Sequence, residues 1–198
     1  MANFTKKAIL QVFEEMLNQM PFEKITVSAL VVKCGISSNT FYYHYRDIYD
    51  LLDAWMLMKR EQLRKETEGL KGWPASLKVE LHYVQEHPKL VYHILDSISR
   101  ERLERFIFGS VEHLFYEDVK THADGTEVPD EVLRAIASFC CYSFLGFLLK
   151  FIWGQMEADV DASVDGLSFI FAGIIESVIE KIQKGETDKF MERILHIE

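Results

Sequence analysis

Two segments near the end of the chain, residues 135–153 and 164–182, are apolar around most of a helical circumference, and nothing else constrains the fold as tightly. The first carries Ile136, Phe139, Cys140, Phe144, Phe147, Leu148, Phe151 and Ile152; the second carries Val164, Leu167, Ile170, Phe171, Ile174, Ile175, Val178, Ile179 and Ile182. These positions recur at three- and four-residue steps, the period of an α-helix. Helices this apolar need cover on more than one side. A body of this size is expected to draw part of that cover from a second copy, with Phe171 and Ile174 on the partner-facing side. A membrane is a poorer cover. The uncharged run at 135–149 is 15 residues long, short of the roughly 20 that a spanning helix needs. It also contains Cys, Ser, Tyr and Gly, and no second span is read beside it.

The rest of the chain follows the same period. Phe4, Ala8, Ile9, Val12, Phe13, Met16, Leu17 and Met20 form one stripe over residues 4–20, which Pro21 ends. A short helix capped by Thr26 is expected to run to Lys33, with Gly35 as the turn. Ser37 caps a third helix, and Asp47 a long fourth whose inner stripe is Ile48, Leu51, Leu52, Trp55, Met56 and Leu63. Residues 69–74 break the pattern, and further helical segments are predicted near 75–87, 89–97, 100–118, 130–154 and 163–184, with a short one at 188–196. Residues 121–128 read as a polar loop. No stretch alternates like a strand, so the fold class is all-α. A small head, residues 1–50, is predicted to precede a larger helical body, residues 51–198.

The head holds the most informative short run, residues 36–45, Ile-Ser-Ser-Asn-Thr-Phe-Tyr-Tyr-His-Tyr. Phe41 and Tyr45 lie one turn apart and are expected to face the core; Ser38, Asn39, Tyr42 and Tyr43 then point outward. Two tyrosines on the exposed side of a tiny helix are costly unless something covers them. Small polar side chains let a backbone approach base edges, and Tyr and His donate to phosphate oxygens. With residues 26–35 in front of it, the run has the form of a helix-turn-helix.

Charge is distributed to match. The chain carries a net −9, but residues 1–60 hold seven Lys/Arg against six Asp/Glu, and the remainder 15 against 25. The acidity lies in the body. A net +1 over residues 1–60 is only weakly basic, so DNA binding there leans on hydroxyls, amides and helix dipoles as well as cations. Cys34, Cys140 and Cys141 make no disulfide framework and have no metal-ligand spacing, which fits a cytoplasmic protein with free thiols. His82, His87, His93 and His113 pair with no second ligand type, and no triad order, nucleophile elbow or phosphate-cradling glycine loop is present. No cofactor, metal or catalytic activity is expected.

Residues 5–52 together resemble the DNA-binding head of the TetR/AcrR family of bacterial transcriptional regulators. The resemblance is carried by Phe22, Thr26-Val27, Gly35-Ile36-Ser37, the run from Thr40 to Tyr45, and Asp50-Leu51-Leu52. It implies that Thr26, Ser37, Ser38, Asn39, Tyr42, Tyr43 and His44 touch double-stranded DNA at a palindromic operator. Thr40 and Arg46 join this set, and Lys24 and Lys33 are further candidates for backbone contacts. It also implies a homodimer through the helices near 130–154 and 163–184, and a small-molecule effector in the body. Candidate effector contacts are Trp55, Met56, Tyr83, His93, Phe106, Phe147 and Phe151. The implied function is a repressor released by that effector.

The sequence departs from the family at two positions. Ile48 stands where a lysine commonly meets a phosphate, and Ser38 where related recognition helices often carry a basic residue. Fewer neutralised phosphates give a shallower dependence of affinity on salt. The alternative they leave open is a helical sensor of the same shape that acts through a protein partner without binding DNA.

Overall fold

The computed structural model describes residues 2–67, 69–70 and 72–185, and no strand occurs among them. The helices are α1 (Ala2–Gln19), α2 (Val27–Cys34), α3 (Ser38–His44), α4 (Ile48–Glu66), α5 (Trp73–Glu86), α6 (Pro88–Leu95), α7 (Arg100–His122), α8 (Asp130–Trp153) and α9 (Val160–Gln183), with a 3-10 turn at Phe22–Lys24. The all-α expectation holds. The segment expected at 188–196 lies outside the described residues. The chain forms two compact units, one of residues 1–68 and 86–103, the other of residues 69–85 and 104–198.

In the first unit α1, α2, α3 and α4 enclose Ile9, Phe13, Leu17, Phe22, Leu30, Phe41, Leu51 and Leu52, each essentially without solvent contact. Phe13 meets Phe22 and Trp55 edge-on, at centroid distances of 6.2 and 6.5 Å. Such arrangements set the positive ring edge against a negative face. Glu14, outside the apolar stripe, gains partners from α4: the Trp55 indole N–H donates to it at 3.2 Å and Lys59 pairs with it at 2.6 Å. Phe4, expected on the stripe, is 80% exposed instead, because it lies in the first turn, ahead of the residues that meet α4. Helix α6 is tied to α1 by His93, whose Nδ1–H donates to the Leu17 carbonyl at 2.7 Å.

The second unit is built around rings. Trp73, Phe115, Phe144 and Phe171 come from α5, α7, α8 and α9, and Phe115 touches the other three at 5.0, 6.1 and 5.5 Å. Trp73 and Pro74, read above as part of a break, belong to α5; a proline is tolerated in a first turn, where its missing N–H has no acceptor anyway. Helix α7 also outruns its expected end. Thr121 Oγ1 and His122 Nδ1 bond back to the carbonyls of Glu117 and Asp118, at 2.8 and 2.9 Å, and carry the helix into the polar segment.

Polar contacts join α5 to the α8–α9 corner. Lys78 pairs with Asp165 at 2.7 Å and Asp161 at 3.4 Å, and His82 meets Asp161 at 3.0 Å. The Gln85 amide donates to the Met156 carbonyl at 2.6 Å, and so holds a corner in which Gln155 and Met156 both take left-handed backbone.

Helices α8 and α9 are each long and apolar enough to cross a membrane by length and composition alone, so α9 is the second such segment that was not read in the sequence. Their surfaces differ in what their own chain covers. Phe171, expected to face a partner, is 2% exposed, because its ring is packed 5.6 Å from Trp73. The uncovered side of α9 is instead Phe169, at 83% exposure, with Ile170, Gly173 and Ser177. On α8 the uncovered residues are Phe139, Tyr142, Gly146 and Trp153. Phe139, Tyr142 and Gly146 follow one another at three- and four-residue steps, with Lys150 exposed between Gly146 and Trp153. On α9, Phe169, Gly173 and Ser177 follow at four-residue steps with Ile170 beside them, so each set lies along one side of its helix.

Candidate nucleic-acid interface

The helix-turn-helix is closed by local hydrogen bonds that the sequence dictates. Thr26 precedes α2 in extended backbone, and its hydroxyl accepts the Ala29 amide at 3.2 Å. Gly35 then takes φ +66°, a left-handed turn that costs glycine nothing and a side chain about 1 kcal/mol or more. Ser37 Oγ accepts the Thr40 amide at 3.1 Å and shares a 2.9 Å hydrogen bond with the Thr40 hydroxyl. Asp47 accepts the amides of Tyr49 and Asp50, both at 2.8 Å. Three helix starts are thereby capped by the three residues expected to cap them.

These caps fix which way α3 faces. Phe41 and Tyr45 are buried beneath it, while Ser37, Ser38 and Asn39 are exposed, Tyr42 is 57% exposed and Tyr43 79%. The outward side is therefore hydroxyls, one carboxamide and two phenols, with no charge. Thr26 is exposed at the start of α2, Thr40 is partly covered by its bond to Ser37, and His44 is half-buried with its ring edge-on to Tyr43 at 5.0 Å. A carboxamide can pair with both edge groups of an adenine, and phenols can donate to phosphate oxygens.

The charged residues stand at the end of α3. Arg46 places its guanidinium 3.2 Å from Asp50 and donates its backbone amide to the same carboxylate at 3.0 Å. That amide, aided by the guanidinium, holds the Asp50 carboxyl below its usual range. The Arg46 side chain is otherwise open to solvent. Lys33 is engaged with Glu15 at 3.6 Å, and Ile48 is half-buried at the first position of α4. Lys6, absent from the residues singled out in the sequence, lies over the Tyr45 ring at 5.6 Å. No local pattern announces that contact, since it joins two helices far apart in the chain. Beneath it the Tyr45 hydroxyl is buried without a partner, and burial, with a smaller contribution from Asp50, pushes its pKa up to about 12.

Two family models match parts of the chain. Residues 9–55 match "Bacterial regulatory proteins, tetR family", and residues 72–173 match "Transcriptional regulator C-terminal region". The chain belongs to the TetR family of bacterial transcriptional regulators.

Solved structures share its fold at low identity. The dihydroxyacetone kinase operon activator DhaS superposes with a TM-score of 0.65 at 17% identity, over 87% of this chain and 96% of its own. A TetR transcriptional regulator from Streptococcus agalactiae gives 0.58 at 20% identity, over 88% and 95%. NalD, the secondary repressor of the MexAB-OprM efflux pump in Pseudomonas aeruginosa, gives 0.54 at 16% identity, over 86% and 96%. No curated protein sequence matches this TetR-family chain.

The residues expected to meet an effector fall in both units. Trp55, Met56 and His93 pack within the first unit, where Trp55 and His93 already hold Glu14 and the Leu17 carbonyl. Tyr83, Phe106, Phe147 and Phe151 belong to the second. Phe147 stacks on Phe151 with centroids 6.1 Å apart, and Phe151 is buried while Phe147 keeps partial exposure.

Proposed function

We propose that this TetR-family chain is a cytoplasmic homodimeric repressor that binds a palindromic operator in double-stranded DNA and is released by a small-molecule effector bound in its body. One observation carries the DNA-binding part: α3 buries Phe41 and Tyr45 and leaves Asn39, Tyr42 and Tyr43 on the surface, where they contribute nothing to the core. In this reading Asn39 reads a base edge, Ser38 lets the backbone approach, and Tyr42, Tyr43 and His44 contact phosphates. Ser37, Thr40 and Thr26 place amides and hydroxyls at the backbone, and Arg46 adds a charge.

The stripes of Phe139, Tyr142, Gly146 and Trp153 on α8 and of Phe169, Ile170 and Gly173 on α9 support dimerisation. Apolar surface of this extent on a soluble regulator calls for a partner, and a second copy gives a self-complementary closed interface. For effector recognition, Tyr83, Phe106 and Phe147 combine aromatic surface with partial exposure, which suits an apolar or ring-bearing molecule. Both signs of control occur among the structural neighbours, an operon activator and an efflux-pump repressor.

The test is selection of binding sites from random duplex DNA at low salt, followed by a gel shift on the promoters of neighbouring genes and a reporter assay. An enriched palindrome whose reporter is silenced supports repression. If wild-type protein enriches no sequence and shifts no duplex, the DNA-binding reading fails and the protein-partner alternative takes its place.

A further inference from the structure

The head lacks the cations that a DNA-binding surface ordinarily places beside the recognition helix, since Ser38 and Ile48 are neutral and Lys33 is paired with Glu15. The structure brings one in from elsewhere. Lys6, on α1, extends over the face of Tyr45, the residue that ends α3, and its charge is felt by Asp50 on α4. Arg46, in the turn between α3 and α4, reaches the same carboxylate. Two cations from different parts of the chain thus approach the Asp50 carboxylate at the C-terminal edge of α3.

We infer that Lys6 is a phosphate-contact residue, which together with Arg46 supplies at the end of the recognition helix the positive charge that Ile48 does not. The inference rests on the DNA-binding reading of α3 and names a residue outside its set. Three features of the site fit it. The lysine is exposed, so contact with a phosphate removes little of its hydration at the start. Its ammonium group is held over an aromatic face, which limits the rotamers that would have to be frozen on binding. The phenol beneath it keeps its proton at neutral pH, so it offers no competing anion; Asp50, which does, is already held by Arg46 through both its backbone amide and its guanidinium.

The experiment measures equilibrium binding to a duplex selected with the wild-type protein, across a salt series, for wild type, Lys6→Gln, Lys7→Gln, Tyr42→Phe and the double variant Lys6→Gln/Ile48→Lys, with melting curves to confirm folding. Each neutralised phosphate contributes about 0.9 to the slope of log affinity against log salt. Lys6→Gln should lower the slope by about 0.9 per head and weaken binding several-fold at low salt. Lys7→Gln should change neither, and Ile48→Lys should restore the slope lost by Lys6→Gln. An unchanged slope for Lys6→Gln, in a protein whose binding Tyr42→Phe still weakens, overturns the role of Lys6 and leaves the α3 interface standing. An equal loss with Lys7→Gln overturns it too, since the effect is then general N-terminal charge. Failure of the wild type to bind any duplex overturns the interface and this inference with it.

Discussion

Arg102, in the first turn of α7, sets its guanidinium 2.5 Å from the Asp53 carboxylate, and the same group lies 4.9 Å over the Tyr49 ring. Tyr49 in turn meets Phe22 edge-on at 5.1 Å, in the turn that leads into α2. The start of α7 is thereby fastened to α4 beside the helix-turn-helix. Because the pair is partly solvated, its contribution to stability is small, about 0–1 kcal/mol. Arg102→Ala should therefore lower the melting temperature only slightly. It should change effector-induced release of DNA more than it changes DNA affinity itself. Equal loss of affinity with and without effector would show that the contact serves stability alone.

The oligomeric state separates two neighbouring positions on α9. Phe169→Asp places a charge on an exposed surface of its own chain, so the variant should stay folded and sediment as a 23.1 kDa monomer. Phe171→Asp buries a carboxylate among Trp73 and Phe115, at a cost of several kcal/mol, and should unfold the second unit. Wild-type protein sedimenting as a monomer at micromolar concentration would rule the dimer out.

Alkaline pH should destabilise this protein earlier than its surface groups suggest. Burial pushes the Cys140 and Cys141 thiols from 9.0 up to about 11 and about 12, and the Tyr45 phenol from 10.0 to about 12. All three stay protonated in the folded chain while the unfolded chain releases protons, so folding is linked to their protonation. That stability is fully present below about pH 9 and is lost as pH rises towards 12. Melting temperatures taken from pH 8 to 11 should fall steadily, and Cys140→Ala/Cys141→Ala should flatten the fall. The same burial predicts that neither thiol reacts with an alkylating reagent at pH 8 without prior unfolding.

Caps carry much of what was legible in the sequence. Thr26, Ser37 and Asp47 each had to satisfy free amides at a helix start, and each does, so the head's helices begin where their side chains dictate. The inward and outward sides of α3 followed from helical period alone, with Phe41 and Tyr45 in and Tyr42 and Tyr43 out. Surfaces that depend on a distant element were not legible. Phe171 and Phe169 are equally apolar in sequence, and only the arrival of Trp73 from α5 decides which is buried. Lys6 and Tyr45 meet only because the fold brings the start of α1 to the residue that follows α3. Helix α7 outran its expected end because a polar run reads as loop unless its side chains find carbonyls one turn back, as Thr121 and His122 do.

Removing the cap of α3 tests how far recognition depends on its exact placement. Ser37→Ala deletes the acceptor for the Thr40 amide and the partner of its hydroxyl, and should cost about 1 kcal/mol of stability. Ser37→Asp restores the acceptor and should recover the stability, yet weaken DNA binding because it brings a carboxylate to a phosphate surface. Recovery of both by Asp would place Ser37 away from the duplex.

The most direct measurement is the affinity of wild type, Asn39→Ala and Tyr42→Phe for a selected palindrome and for a panel in which each base pair is changed in turn. Wild type should discriminate at successive major grooves about 34–36 Å apart. Asn39→Ala should relax discrimination at particular base pairs, and Tyr42→Phe should weaken binding to every sequence alike, by about 1 kcal/mol. If both variants bind the whole panel as wild type does, the outward side of α3 does not read DNA and the account is wrong at its centre.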